Sequence, residues 1–435
     1  KPQPDAEDNV VVGLDKLVIT GGQPLHGDIP ITGAKNAALK LICASLLTDE
    51  KIVLTNAPTT IKDLHSLVNL IETMGVKVDI DGYTATLDAH EITSTVASYE
   101  LVRKMRSSIL VLGPLLARMG EATVSLPGGC AIGTRPVDFH LEGLRAMGAE
   151  IHLEAGYIHA KAPEGGLQGA KYIFPKVSHT GTENLMMAAC LAKGETVLGN
   201  CAREPEVEDL AKLLTAMGAK IEGAGTSQIK ITGVNKLSGA THAVLPDRIE
   251  TGTYAVAVAM CGGKVRLQNA RLDLWAAATA TLEQAGAKVT QDGNDIVVER
   301  DPSTTLKGFD IMTEPFPGFP TDLQAQFMAM ACMATGASLI TETIFENRFM
   351  HVPELARMGA DITVHGSSAI VRGVNELTGA EVMATDLRAS VALVLAGLVA
   401  NGETHVNRIY HLDRGYDNIV GKLSACGAKI ERVKA

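Results

Sequence analysis

Six times the sequence writes one short phrase, a Met, Ala or Cys followed by Gly, a small residue, a polar residue and Val or Ile. The copies are Met74-Gly75-Val76-Lys77-Val78, Met147-Gly148-Ala149-Glu150-Ile151, Met217-Gly218-Ala219-Lys220-Ile221, Ala285-Gly286-Ala287-Lys288-Val289, Met358-Gly359-Ala360-Asp361-Ile362 and Cys426-Gly427-Ala428-Lys429-Ile430. Successive glycines lie 73, 70, 68, 73 and 68 residues apart. A near-constant period across the whole chain means one supersecondary unit copied six times, and no copy is large enough to bury its own apolar face alone.

Each phrase closes an amphipathic segment. Leu141, Leu144 and Met147, like Leu210, Leu213, Leu214 and Met217, recur at three- and four-residue spacing, which predicts a helix with one buried face. The glycine suits the left-handed residue that ends a helix. The Val or Ile after it opens an alternating run that reads as a strand. A second strand precedes each helix: Gly120–Leu126, Gly194–Leu198, Gly263–Leu267, Gly336–Ile340 and Gly402–Val406 align with one another, and Ile52–Leu54 is the first copy. The unit is therefore strand, connection, helix, glycine, strands. At 435 residues the chain needs more than one core. The Pro246-Asp247 break between the third and fourth copies suggests three plus three. The strand Lys16–Ile19 lies before the first unit and fits either half.

Composition excludes several classes. The chain is 46% hydrophobic and 20% charged, ordinary for a globular protein. Its net charge of −10 makes nucleic acid and anionic membrane poor partners, so an anionic ligand needs a local cluster of bases. The longest predominantly apolar run, Ala389–Ala400, is too short to span a bilayer. Residues 1–13 read as a loose extension. Lys1 to Leu14 holds three acids and no apolar region of signal-peptide length, so no export signal is expected. Seven scattered cysteines without a Cys-x-x-Cys pair argue for free thiols, a reducing compartment and a cytoplasmic protein. No metal-ligand cluster is visible, so neither a metal nor a cofactor is expected.

The unrepeated segments carry the chemistry. Leu126-Pro127-Gly128-Gly129-Cys130-Ala131-Ile132-Gly133-Thr134-Arg135-Pro136 puts one thiol and one base in a glycine-rich loop. Pro136 suits a first helical position, which places Arg135 beside a helix N-terminus. A cation there opposes the helix dipole unless an anion binds between them. Lys35, at the start of an apolar-periodic helix, repeats that oddity, and Arg414 is expected to do so too. In Pro315–Gln324 a proline-rich loop runs into a helix. Thr321 and Gln324 there read as a capping box, and Asp322 as either a dipole partner or a placed base. Arg103, Lys104 and Arg106 form a small basic cluster of the kind usually found on a solvated face. If six helices aim their N-termini at one cleft, Lys35, Arg135 and Arg414 would share an anion pocket.

At this point the residues resemble a family. Gly33–Asn36, Leu126–Cys130, Gly133–Asp138, Pro246–Gly252, Phe319–Gln326, Phe345–Phe349 and Asp413–Tyr416 are similar to segments of the bacterial UDP-N-acetylglucosamine enolpyruvyl transferases, and the likeness runs from about Lys16 to Val433. The resemblance implies an α/β fold, the inside-out α/β barrel (inverse α/β prism). It consists of two domains, each of three βαββ-type repeats, with a cleft between them. The chain path would be 14–34 plus 246–435 for one domain and 35–245 for the other. The implied activity moves the enolpyruvyl group of phosphoenolpyruvate onto the 3′-hydroxyl of UDP-N-acetylglucosamine and releases phosphate, the first committed step of peptidoglycan synthesis. Cys130 would be the proton donor and the target of the covalent inhibitor fosfomycin, with Asp322 the base. Lys35, Arg135 and Arg414 would hold phosphoenolpyruvate. Lys35, Asn36, Arg106, Arg135, Pro136, Val137, Asp138, Phe139, Lys176, Val177, Ser178, His179, Asp322 and Ile344 would bind substrate. Where the family often reads Ser-Val-Gly-Ala, this sequence has Ser178-His179-Thr180-Gly181, a departure that bears on the uracil contact and not on the substrate class.

The nearest alternative is enolpyruvylshikimate-phosphate synthase, which shares the repeats but is not expected to carry the Pro-Gly-Gly-Cys loop. A non-catalytic repeat scaffold would make Cys130 inert. A thiol redox sensor would want a second cysteine near it.

Overall fold

The computed structural model describes residues 15–105, 107–126, 137–346 and 348–434. All six repeated phrases are helix terminators of one design. Their glycines have φ between 94° and 118°. At Gly148, the glycine N–H bonds the Arg145 carbonyl (2.9 Å) and the next N–H, of Ala149, reaches back to Leu144 (3.1 Å). The same pair of bonds recurs at Gly75, Gly218, Gly286, Gly359 and Gly427. This is the Schellman arrangement. It explains the phrase: the residue that bonds back is small, its acceptor is always Leu or Ile, and both sit at the apolar end of the helix. A β-carbon at such a φ costs about 1–2 kcal/mol.

The described residues form six four-stranded sheets with a single pairing plan. In each, an edge strand lies parallel to the strand foreseen before the amphipathic helix. That strand pairs antiparallel with a third, which pairs antiparallel with the strand opened by the phrase. In one sheet these are Val96–Ala97, Glu121–Ser125, Tyr157–Lys161 and Glu150–Glu154. The fold class is thus α/β with mixed sheets.

Each unit also holds a second helix; only those opening at Lys35 and at Gln324 were foreseen from the sequence. Lys35–Ala44, Leu112–Met119, His179–Ala189, Arg248–Cys261, Gln324–Ala331 and Leu387–Val399 each precede the matched strand. They are buried over most of their surface; from Ala389 to Leu398 every residue is buried. Helices apolar all round belong to a core and leave no 3.6-residue alternation to detect. The amphipathic helices, such as Lys62–Glu72 and Pro205–Ala216, bury only one face. Each Leu or Val fully buried in this way contributes about 1.5–3 kcal/mol of transfer free energy.

The chain divides into two compact units, Lys1–Thr32 with Pro246–Ala435, and Gly33–Leu245. The strand Asp15–Thr20 belongs to the first, paired with Glu403–Asn407 on one side and Lys429–Lys434 on the other. The next strand, Leu25–Pro30, runs parallel to Gly263–Gln268. The whole Gly33–Leu245 unit is therefore inserted in the crossover between those two strands. It closes on itself when Ala240–Ala243 pairs parallel with Ile52–Thr55.

In the first unit, the insertion point is tied down by a buried polar cluster. Thr32 Oγ1 donates to Glu250 (2.8 Å), and Lys422 Nζ reaches Glu250 at 2.9 Å and Asp417 at 3.5 Å. Burial pushes the Glu250 carboxyl up to about 7, with Lys422 pulling the other way and Asp247 reinforcing the rise. The folded state then holds a proton that the unfolded chain releases near its ordinary carboxylate value. Below that value both states are protonated and this contribution is complete. As pH rises towards 7 it is lost, so stability falls. Urea unfolding at pH 5 and pH 7 should show this decline in the parent and a smaller one in Glu250→Gln, the difference between the two slopes belonging to Glu250.

Candidate active site

Lys35 opens the helix Lys35–Ala44 behind Ala34, which offers no side-chain cap. The Ala34 N–H bonds the Leu245 carbonyl (2.8 Å). A β-carbon on Gly33 would lie 1.9 Å from the Asn56 carbonyl oxygen, so only glycine admits the chain here. The Lys35 ammonium pairs with Asp63 at 3.0 Å. Asp63 lies in the first turn of its own helix and offsets the cation placed against the dipole. Asn36 is half-buried one residue on.

Within the same unit, two other expected segments are fastened together. Val137 is the N-cap of Asp138–Ala146, with Asp138 exposed and Phe139 half-buried. Ser178 caps His179–Ala189, its Oγ accepting from the Gly181 N–H at 3.0 Å. Between the two helices lies His140, fully buried and held neutral because burial lowers its pKa to about 4. Asn184 Nδ2 donates to Nδ1 (2.9 Å), so the proton rides on Nε2 and goes to Thr180 Oγ1 (3.2 Å). The Ser178-His179-Thr180-Gly181 departure thus has a structural account: Thr180 ties its turn to the helix that begins at Asp138. His179 points the other way, its Nε2 lying 3.4 Å from the buried Glu183, which Lys40 approaches from 3.5 Å. Burial raises the Glu183 pKa; Lys40 and His179 oppose that rise, while Glu206 and Glu204 add to it. Lys176 is exposed and Val177 half-buried just before the cap.

In the other unit, Asp322 sits in the short turn Thr321–Leu323 with its carboxylate split between two guanidinium groups. Oδ1 is 3.2 Å from Arg348 and Oδ2 is 3.3 Å from Arg388. Burial acts to lower the Arg388 pKa, but Asp322, Tyr416, Asp247 and Asp386 together raise it. The capping box expected from Thr321 and Gln324 is absent: the N-cap of the turn is Pro320 and no side chain caps it. Both residues instead donate to Glu342, at 2.7 and 3.2 Å. Glu342 is buried and also accepts from Thr313 Oγ1 (2.7 Å) and the Ile344 N–H (3.0 Å). A buried carboxylate is the stronger acceptor, and it fixes the Asp322 turn and Ile344 on one support.

Arg414 corrects a second expectation. It lies in the last turn of Tyr410–Gly415, not at a helix start, and stacks on Tyr410 with Cζ 5.5 Å from the ring centre. The next helix begins only at Ile419, after Asn418 caps it. Besides Arg248, which opens Arg248–Cys261, the cation in the first turn of an inner helix of this unit is Arg388, following the Asp386 cap of Leu387–Val399. The rule that singled out Lys35 would have found it. The helix after the thiol loop begins at Asp138. Cys130, Arg135, Pro136 and Arg106 lie outside the described residues.

The six described cysteines are free, and all but Cys261 are buried. Burial pushes Cys43, Cys190, Cys261 and Cys332 up to about 12 and Cys201 to about 11. None of these five offers a thiolate nucleophile near neutral pH.

The sequence matches the family described as EPSP synthase (3-phosphoshikimate 1-carboxyvinyltransferase) over residues 19–423. A UDP-N-acetylglucosamine 1-carboxyvinyltransferase of Rhodospirillum centenum is 60% identical over 431 residues, covering 97% of this chain and 99% of that one. The chain belongs to this enolpyruvyl transferase family. The enzyme of the same name from Paracoccus denitrificans is 57% identical, over 97% of this chain and 99% of its own. Among solved structures, the enolpyruvyl transferase NikO from Streptomyces tendae superposes with a TM-score of 0.85 at 24% identity, covering 97% and 100% of the two chains. EPSP synthase from Acinetobacter baumannii gives 0.73 at 19% identity, covering 96% and 99%. At such identities these two likenesses speak to the fold alone. Among the described residues no helix is long and apolar enough to cross a membrane.

Proposed function

We propose that this protein transfers the enolpyruvyl group of phosphoenolpyruvate to the 3′-hydroxyl of UDP-N-acetylglucosamine, releasing phosphate, as the first committed step of peptidoglycan synthesis in the cytoplasm. The observation that carries this reading is the 57–60% identity, over 97% of the chain, to enzymes named for that reaction. The reading includes the inside-out barrel, with three repeats in each of two domains. The single pairing plan of the six sheets and the division at Thr32 and Pro246 support it.

Chemically, the sugar hydroxyl adds to C2 of phosphoenolpyruvate while C3 takes a proton from Cys130. The tetrahedral adduct then expels phosphate as C3 gives a proton back. Asp322 receives the hydroxyl proton or orients the hydroxyl. With both oxygens already engaged by Arg348 and Arg388, it is well held for orientation. Each positioned proton-transfer group of this kind is worth about 10²–10⁴-fold. Lys35, Arg135 and Arg414 bind the donor's anionic groups, supplying the local positive charge that a net charge of −10 otherwise denies. Asn36, Arg106, Pro136 to Phe139, Lys176 to His179 and Ile344 contact the nucleotide sugar. No metal or cofactor takes part, and fosfomycin alkylates Cys130.

The test is phosphate release from phosphoenolpyruvate with UDP-N-acetylglucosamine or shikimate 3-phosphate as acceptor. The nucleotide sugar should be preferred by roughly 10³-fold or more, because a site built to hydrogen-bond one acceptor leaves buried groups unpaired against another. Equal rates, or a preference for the shikimate, would overturn the assignment.

A further inference from the structure

Among side chains not assigned to the transfer reaction, a hairpin brings three metal-ligating ones together. Its strands, Glu150–Glu154 and Tyr157–Lys161, pair antiparallel with His152 directly opposite His159 and Glu154 opposite Tyr157. One nitrogen from each histidine and one Glu154 carboxylate oxygen all lie within 4.8 Å of one another. The His152 and His159 rings are stacked, 4.9 Å between centres and 13° between planes, and His152 Nε2 is 3.8 Å from Glu154 Oε2.

The backbone beneath them is held in place. Ala155 and Gly156 form the two-residue loop with φ of 51° and 82°. Two positive φ values are the signature of the type I′ turn, whose twist matches that of its strands and fixes their register. The Tyr157 hydroxyl accepts a bond from the Tyr99 N–H (2.9 Å). A third strand, Glu121–Ser125, flanks the hairpin and sets Thr123 beside His159.

We propose that this hairpin face binds one divalent transition-metal ion through His152, His159 and Glu154, with water completing the shell. Two imidazoles and one carboxylate form a donor set suited to zinc, nickel or copper, whereas calcium and magnesium prefer all-oxygen sites. Two imidazole nitrogens on a tetrahedral zinc stand roughly 3.3 Å apart, given bonds of about 2.0–2.1 Å. The three donors must therefore draw in by about 1.5 Å at most. His152 and Glu154 are exposed and His159 is half-buried, so side-chain rotation alone can do this. Directly opposed residues hold their β-carbons only about 4.5–5.5 Å apart, so both rings can reach one ion without backbone movement.

Zinc chloride titrated into the full chain, followed by calorimetry, tests the proposal. The background is Cys130→Ser, which removes the loop thiol as a competing ligand. One zinc should bind. His152→Ala and His159→Ala should each weaken it by at least about tenfold, since disturbing even an outer-shell partner costs about 10–100-fold. Glu154→Gln should weaken it less. Cobalt(II) should give a visible d–d band that disappears in both histidine variants. Circular dichroism verifies that the variants fold. No uptake, affinity unchanged in either histidine variant, or a cobalt band that survives there would each overturn the proposal.

Discussion

Replacing Asp322 by Asn is expected to lower turnover by about 10²–10⁴-fold, the range a positioned proton-transfer group supplies. The substitution keeps the shape of the side chain and removes its charge. It deprives the bound hydroxyl of an anionic acceptor, and it leaves Arg348 and Arg388 facing a neutral amide at about 3 Å. Because Arg348 is almost buried, part of the effect could come from the turn shifting. Calorimetric affinity for the nucleotide sugar separates the two causes. A chemical role leaves that affinity near the parent's, while a displaced turn weakens it together with turnover. Asp322→Glu, which retains both ion pairs, should recover part of the rate. An Asn variant within about tenfold of the parent would remove Asp322 from the chemistry.

Replacing Cys130 by Ser should cost a comparable factor, since a serine hydroxyl is a far weaker acid towards carbon, while nucleotide-sugar affinity stays close to the parent's. Six of the seven thiols are described; burial moves five of them to about 11–12 and raises the sixth, Cys426, as well, so a mild alkylating agent should label one site. Fosfomycin should modify the same site and leave the Ser variant untouched. A free thiol titrates near ~8.5, and neighbouring cations lower that value. On the proposed mechanism, bound anionic substrate offsets the cations and returns the proton that a general acid must hold. The pH profile of alkylation should therefore move upward when the nucleotide sugar is added. An unchanged profile would sink this account of how Cys130 keeps its proton.

The six terminators were legible because a Schellman turn leaves a covalent signature: a glycine at positive φ, a small residue after it and an aliphatic acceptor before it. The strands before the amphipathic helices were legible for a related reason, since half-buried strands alternate. Of the inner helices, only those opening at Lys35 and at Gln324 were, each marked by an unrepeated segment before it. Leu387–Val399 is apolar on every face, and a wholly buried helix shows no period. The same gap misplaced the helix-start cation. Without Leu387–Val399 in view, Arg388 had no helix to begin, and Arg414 was placed at a helix start although it lies in the last turn of Tyr410–Gly415. Thr321 and Gln324 satisfied the spacing of a local cap, but Glu342, about twenty residues downstream, outcompeted it. Sequence spacing cannot register an acceptor that only the sheet brings near. His152 and His159 face each other across a turn that the sequence reading left unassigned, so their meeting required the strand register.

The strand Asp15–Thr20 completes a sheet whose flanking strands are Glu403–Asn407 and Lys429–Lys434. On the ribosome, that sheet cannot assemble until Lys434 has emerged. At about 5–20 residues per second the leading strand waits roughly 20–80 s for its neighbours. Meanwhile Gly33–Leu245, whose three sheets draw on no residue outside it, has everything it needs to fold. Nascent chains of this protein should therefore carry a finished inner unit beside an unpaired leading strand for much of their synthesis, and that strand is where a chaperone would find something to hold.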